Sequence, residues 1–303
     1  MTVKLIRRAT IAFLAAVSVA GAADWSYNST NATVSHGGWT MGVTWSASTG
    51  ALTVKSLTGA DDNGLGRLEM TNMTVNGTAV RSVIFNANSL VNTALSNLTV
   101  DCVSRIDGTF IDKSSVRDVT IDGTLTSIPD NCFDSCVGLT NFLFKCDTIT
   151  SYGWYSFGRC SNLRCPVGNI VKPGTTTFGQ AMLYQTPVTG LLRINDVKSF
   201  RGGGGYMFSS TAIEEVIIDT ISAGRLRTHF FAFNNALTNA VFIAPPDGFV
   251  LSSYSFAECM SLTCDIGQVV RENCGEIQEG AFNKTPITGC VRVNNCKFTG
   301  RKF

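Results

Sequence analysis

Eight large apolar residues recur along the chain at nearly even intervals: Phe110, Phe133, Phe157, Leu183, Phe208, Phe231, Phe256 and Phe282, spaced 23, 24, 26, 25, 23, 25 and 26 positions apart. A period of that size belongs to solenoids, in which each turn of chain buries its apolar face against the next. The anchors carry company. Phe133 is followed by Cys136, Leu139, Phe142 and Phe144, Phe157 by Cys160 and Leu163, and Phe256 by Cys259 and Leu262. Five positions upstream of an anchor stand Ile128, Phe178, Leu226 and Ile277. A unit that repeats so many apolar stations describes one layer of a continuous core.

A second periodicity lies above the first. A shift of about 98 residues carries Phe110, Phe133, Phe157 and Leu183 onto Phe208, Phe231, Phe256 and Phe282. The surrounding text follows, Thr186-Pro187-Val188-Thr189-Gly190 returning as Thr285-Pro286-Ile287-Thr288-Gly289. The repeat region, residues 76–303, therefore reads as a four-turn block present twice, at about 101–198 and 199–296. Aligning the blocks puts the last residues just short of a ninth anchor.

Within a turn, Val119 and Ile121 face one way and Thr120 the other, the period of two that marks a strand. Stacked once per turn, such strands make a parallel sheet, with the anchor on a short helical or turn segment across the core. Residues 23–75 differ. Trp39, Met41, Val43 and Trp45 alternate with smaller residues, Ser48-Thr49-Gly50 turns, and Leu52 and Val54 resume the alternation, which predicts a β-hairpin. Trp25, Trp39 and Trp45 suit a cap over the first exposed core face; the competing reading is a carbohydrate-binding module with indole platforms.

Residues 1–22 read as a signal peptide: Lys4, Arg7 and Arg8, an apolar run from Ile11 to Ala20, and the small residues Ala20-Gly21-Ala22 before a mature start near Ala23. No later stretch reaches the roughly 18 apolar residues of a membrane span, so no insertion is expected after cleavage. Charged residues make up 15% and the net charge is +2, which gives no field for nucleic acid. The 11 cysteines invite disulfides in an exported chain but cannot all pair. Cys136, Cys160 and Cys259 each fall three after an anchor, which reads as a small buried side chain. Rungs about 5 Å apart still leave Cys136 and Cys160 within bridging reach.

The wording Ile128-Pro-Asp-Asn-Cys-Phe133-x-x-Cys136-x-x-Leu139-x-x-Phe142-x-Phe144 resembles the BspA-like leucine-rich repeat. The resemblance spans roughly residues 100–295 and is looser where Thr186, Thr211 and Thr285 replace Cys. It implies an α/β or mainly-β, right-handed leucine-rich-repeat array of about 8–10 turns, exported or at the cell surface and often linked with adhesion. It offers no catalytic residue to carry over.

The outward strand positions line the surface on which repeat proteins commonly bind. By register these are Asp118, Thr120, Asp122, Lys145, Arg193, Asn195, Glu215, Asp219, Arg292 and Asn294, joined by the apolar Leu143, Ile217 and Val241. Their charges alternate in sign, so no electrostatic stripe results, and the expected partner is a protein or a glycan. Asp61-Asp62-Asn63-Gly64 lacks the spaced ligands of a calcium loop and reads as a turn. Gly202–Gly205 has no following Lys-Ser/Thr and reads as a flexible loop. With two histidines and no nucleophile elbow, the chain gives no catalytic set, no cofactor site and no metal site. Two rival readings stay open: a passive envelope or matrix element, and a parallel β-helix acting on polysaccharide.

Overall fold

The computed structural model describes residues 23–300, so the signal peptide expected at residues 1–22 lies outside the described residues. Among them the chain is strand, turn and two short 3-10 segments. The first four strands, Asp24–Asn28, Thr33–His36, Trp39–Ser46 and Ala51–Gly59, form an antiparallel meander. Its hairpin is the one the alternation predicts, with Trp39, Met41, Val43, Leu52 and Val54 buried. Ala51–Gly59 then pairs in parallel with Ser82–Phe85, which pairs in parallel with Asn97–Ile106. The cap therefore continues edge to edge into the solenoid, and one sheet runs from it through Asp118–Gly123 to Asn141–Phe144.

A second strand-face sheet holds Thr189–Asp196, Ala212–Thr220 and Asn239–Ala244, all parallel. Between the two sheets the turn carries the 3-10 segment Val167–Asn169, and the equivalent turn one block later carries Ile266–Gln268. These turns span the two 26-residue intervals from Phe157 to Leu183 and from Phe256 to Phe282. Each departs from the strand for a local reason. Pro166 has no N–H to give a ladder, and Asp265 turns its carboxylate onto the N–H of Gly267 at 2.7 Å. Each turn also holds a short second ladder before its anchor, for example Ser127–Ile128 on Ser151–Tyr152 and Val250–Leu251 on Glu276–Ile277.

The anchors meet as the period requires. Phe110, Phe133, Phe157, Leu183, Phe208, Phe231 and Phe256 are fully buried. Rings stack at centroid distances of 4.5 Å for Phe133–Phe157, 5.6 Å for Phe208–Phe231 and 5.3 Å for Phe231–Phe256. Phe85 extends the column one turn earlier, 4.9 Å from Phe110.

The backbone around each anchor is not helical. From Phe133 to Phe256, the residues two before and two after the anchor have φ between 47° and 65°: Asn131 and Ser135, Tyr155 and Arg159, Ala181 and Gln185, Tyr206 and Ser210, His229 and Phe233, Tyr254 and Glu258. Left-handed backbone at a non-glycine residue costs about 1–2 kcal/mol. Between and at these residues, the amides at stations −2, 0 and +2 point toward the following turn. Asn131, Phe133 and Ser135 donate to the carbonyls of Trp154, Ser156 and Gly158 at 2.7, 2.8 and 2.8 Å. Tyr254, Phe256 and Glu258 donate likewise to Glu279, Ala281 and Asn283 at 3.0, 2.8 and 2.8 Å. At roughly 0.5–1.5 kcal/mol net per bond, three bonds per turn offset two strained residues.

The station three after the anchor explains the exchange of Cys for Thr. Cys160 Sγ donates to Phe133 O at 3.0 Å and Cys259 Sγ to Phe231 O at 3.1 Å. Thr186 Oγ1 donates to Phe157 O at 2.5 Å and accepts from Cys160 N at 3.1 Å, and Asn234 Nδ2 donates to Phe208 O at 2.8 Å. In these turns the station holds a donor that satisfies the previous anchor's carbonyl, whereas Thr211 Oγ1 donates to Phe208 O of its own anchor at 3.3 Å. All 11 cysteines are unpaired. Burial pushes the Cys136 and Cys259 thiols up to about 12, where they stay protonated and able to donate.

In the glycine run at 202–205, Gly202, Gly204 and Gly205 are closely packed, while Gly203 is exposed with nothing within 4 Å of where a Cβ would stand. A Cβ on Gly205 would stand 1.7 Å from Thr228 O, and one on Gly202 would enter the Trp154 indole. Counted from the pairing of Ile277 with Phe298, the next anchor station falls at Phe303, outside the described residues. The block alignment alone puts that station just past the last residue.

Two substitutions test the layer. Phe157→Ala should destabilise by about 3–5 kcal/mol in denaturant unfolding, because Phe133, Phe142 and Phe144 all pack on that ring. Thr186→Val should cost about 1–3 kcal/mol by leaving Phe157 O and Cys160 N without their shared hydroxyl, and Thr186→Ser should restore most of it.

Candidate functional site

The strand register decides which side chains reach solvent. Leu143, Ile217 and Val241 are partly exposed while Phe142, Phe144, Val216, Ile218, Ala240 and Phe242 beside them are buried, so the outward set falls on the parity the sequence assigns. Asp118, Thr120 and Asp122 lie on the strand Asp118–Gly123, with Thr120 opposite Leu143. Lys145 follows the strand Asn141–Phe144 and its N–H donates to Ile121 O at 2.9 Å. Arg193 and Asn195 lie on Thr189–Asp196, and Glu215 and Asp219 on Ala212–Thr220. Arg292 and Asn294 are exposed but belong to no strand, because residues 289–295 continue the coil after the isolated bridge of Asp265 with Thr288.

The predicted residues therefore form two groups. Asp118, Thr120, Asp122 and Lys145 are on the first strand-face sheet; Arg193, Asn195, Glu215 and Asp219 are on the second, beyond the 3-10 turn at 167–169. The second group forms a connected surface. Arg193 stands opposite Ile217, which stands opposite Val241, and Leu191 opposite Glu215 opposite Asn239. The Arg193 guanidinium reaches both Asp219 carboxylate oxygens, at 3.0 and 3.1 Å. Exposed on both sides, that pair contributes about 0–1 kcal/mol to stability and acts mainly to fix the Arg193 side chain. Around it lie Leu191, 45% exposed, and Ile243, 52% exposed. Neither is among the residues expected from the sequence, although the spacings Leu191-x-Arg193 and Val241-x-Ile243 carry their outward parity.

A different surface runs along the anchor segments. His229 lies between Tyr206 and Tyr254, with ring centroids 4.5 and 5.0 Å away and interplanar angles of 12° and 18°. The rings spend their faces on each other, and His229 Nδ1 has no partner. The cap holds a cavity of about 420 Å³ bordered by Trp25, His36, Trp39, Asp61, Asp62 and Glu69. Of its acids, Asp61 accepts from the Leu65 and Gly66 N–H groups and Glu69 from the Thr71 hydroxyl. Asp24 is held below the usual carboxylate range by the Gly77 N–H and then the Thr74 hydroxyl. Trp25 and Trp39 are 0% and 3% exposed, so these indoles are core and not sugar platforms. Among the described residues no three His, Cys, Asp or Glu side chains gather as a metal site.

Burial lowers the His229 pKa from its ordinary value near 6.5, so the unfolded chain takes up this proton first. Stability should therefore fall as pH drops below about 6.5. His229→Phe should flatten the melting temperature across about pH 7 to 5, measured by circular dichroism.

No curated protein sequence matches the chain. Among solved structures it is similar to the leucine-rich repeat protein of T. pallidum, at 13% identity and TM-score 0.39 over 73% of this chain and 87% of that one. It is similar also to a leucine rich cell surface protein of Faecalibacterium prausnitzii A2-165, at 15% identity and TM-score 0.30 over 89% and 95%. A leucine-rich repeat protein of Bacteroides ovatus shows 11% identity and TM-score 0.35 over 86% and 89%. The BspA type leucine-rich repeat region matches in 6 copies, over residues 78–203 and 170–288. With this match across more than half its length, and with stacked turns of parallel strand and buried anchor, the chain belongs to the BspA-type leucine-rich repeat family.

Proposed function

We propose that this protein is exported and binds a protein ligand, without catalysis, through the outward face of the strands Thr189–Asp196, Ala212–Thr220 and Asn239–Ala244. The observation that carries the reading is the apolar rim of Leu191, Ile217, Val241 and Ile243 around the Arg193–Asp219 pair. Exposed apolar side chains gathered on a rigid sheet, beside a charge pair held in one geometry, are features that mark a protein interaction surface. A glycan would call instead for open aromatic faces, and the outward positions of these three strands carry no aromatic ring, the exposed Trp154 and Phe233 lying outside them. Export is supported by the basic start, apolar run and small-residue end of residues 1–22.

A binding screen of the purified protein against matrix proteins and glycans tests this. Leu191→Asp with Ile243→Asp should weaken capture of the protein ligand at least about tenfold while leaving the fold intact, since both side chains point to solvent. A ligand held undiminished by that variant would move the site elsewhere. Capture of glycans alone would favour the rival ligand class, and turnover of a polysaccharide would overturn the non-enzymatic reading.

A further inference from the structure

The coil at the C-terminal end is held differently from those before it. Its strand Lys297–Phe298 pairs with Glu276–Ile277 over two residues, through Lys297 N to Gly275 O at 2.9 Å and Thr299 N to Ile277 O at 3.2 Å. On the strand face this coil has no counterpart to the long parallel ladders, because residues 289–295 form no strand. Its attachment is correspondingly thin.

Two cysteines meet at this junction. Cys274 is 2% exposed, and Cys296 is partly buried against the same core. Cys274 Sγ lies 3.7 Å from Glu276 O and Cys296 Sγ 3.7 Å from Lys297 O. Glu276 and Lys297 are Cα partners, so both sulfurs flank one rung between strands about 4.8 Å apart. Cys274 Sγ also donates to Phe249 O at 3.4 Å, and its thiol is pushed up to about 12 by burial and then by the charge of the neighbouring Cys296. Spacing of this kind lies within the reach of a disulfide. Cys160 and Cys259 differ, since each sits in the middle of the column with its thiol on an anchor carbonyl.

We propose that Cys274 and Cys296 form a disulfide that fastens the C-terminal coil to the turn before it. The proposal rests on the export reading for its oxidant, the disulfide of a thiol oxidoreductase or of glutathione. The more accessible Cys296, as thiolate, attacks one sulfur of that disulfide and releases one thiol. Cys274, as thiolate, then attacks the Cys296 sulfur and releases the second. One S–S bond forms in the protein, two S–H protons leave, and the broken S–S bond of the oxidant takes up the electron pair.

The test treats the folded full chain with glutathione disulfide, then alkylates it under denaturing conditions and maps it with trypsin. The expected result is nine alkylated cysteines of the 11, that is 11 − 2, with the peptides 272–284 and 293–297 joined until a reductant is added. Cys296→Ser should lose the joined peptides and Cys290→Ser should keep them. Free alkylation of both residues, or joining of either to a different cysteine, would overturn the proposal. Because Cys274→Ser alters a buried position, Cys296→Ser is the deciding variant. Joined peptides after glutathione treatment, but absent from protein taken directly from cells, would uphold the pairing and count against export alone.

Discussion

The whole array depends on one directional contact between turns: the amides flanking and including each anchor donate forward, and the carbonyls between them accept from behind. Left-handed residues at stations −2 and +2 bracket the line of three donors on one edge. The strain at Tyr155, Arg159 or Glu258 is thus a condition of stacking, offset by bonds that exist only when the next turn is present. The anchor rings follow from this geometry, since a backbone fixed on both sides brings Phe133 and Phe157 to 4.5 Å.

That contact also explains the chemistry of the neighbouring station. Once an anchor's amide points forward, its carbonyl faces the buried side chain three past the following anchor, and an unpaired carbonyl in the core is costly. Cys160, Thr186, Asn234 and Cys259 answer the same demand with different atoms. Cys160 and Cys259 meet that demand in the middle of the column, whereas Cys274 and Cys296 flank the last rung of the array.

Much of this is legible in the amino-acid order. The anchor spacing predicts the layers, and the alternation around Ile217 and Val241 predicts which side of the strand faces solvent. The hairpin of the cap follows from Trp39 to Val54. Less legible are the left-handed residues, because Tyr155, His229 or Gln185 carry no glycine-like signature; only hydrogen bonds to another turn hold them there. Arg292 and Asn294 match Arg193 and Asn195 in the duplicated text, yet the strand that orients Arg193 and Asn195 is paired with Ala212–Thr220, and, among the described residues, 289–295 pair with no following strand.

Composition and spacing by themselves determined a solenoid and its period, because burial of one apolar stripe per turn depends on residue type and interval alone, while the family rested on the resemblance of the Phe-x-x-Cys-x-x-Leu wording. The tertiary structure decided what those intervals hold: a left-handed anchor segment, a 3-10 turn at Val167–Asn169 that divides the strand face, and a surface gathered around Arg193 and Asp219. These depend on hydrogen bonds and contacts between residues some 25 positions apart. A single turn, read alone, contains only half of each.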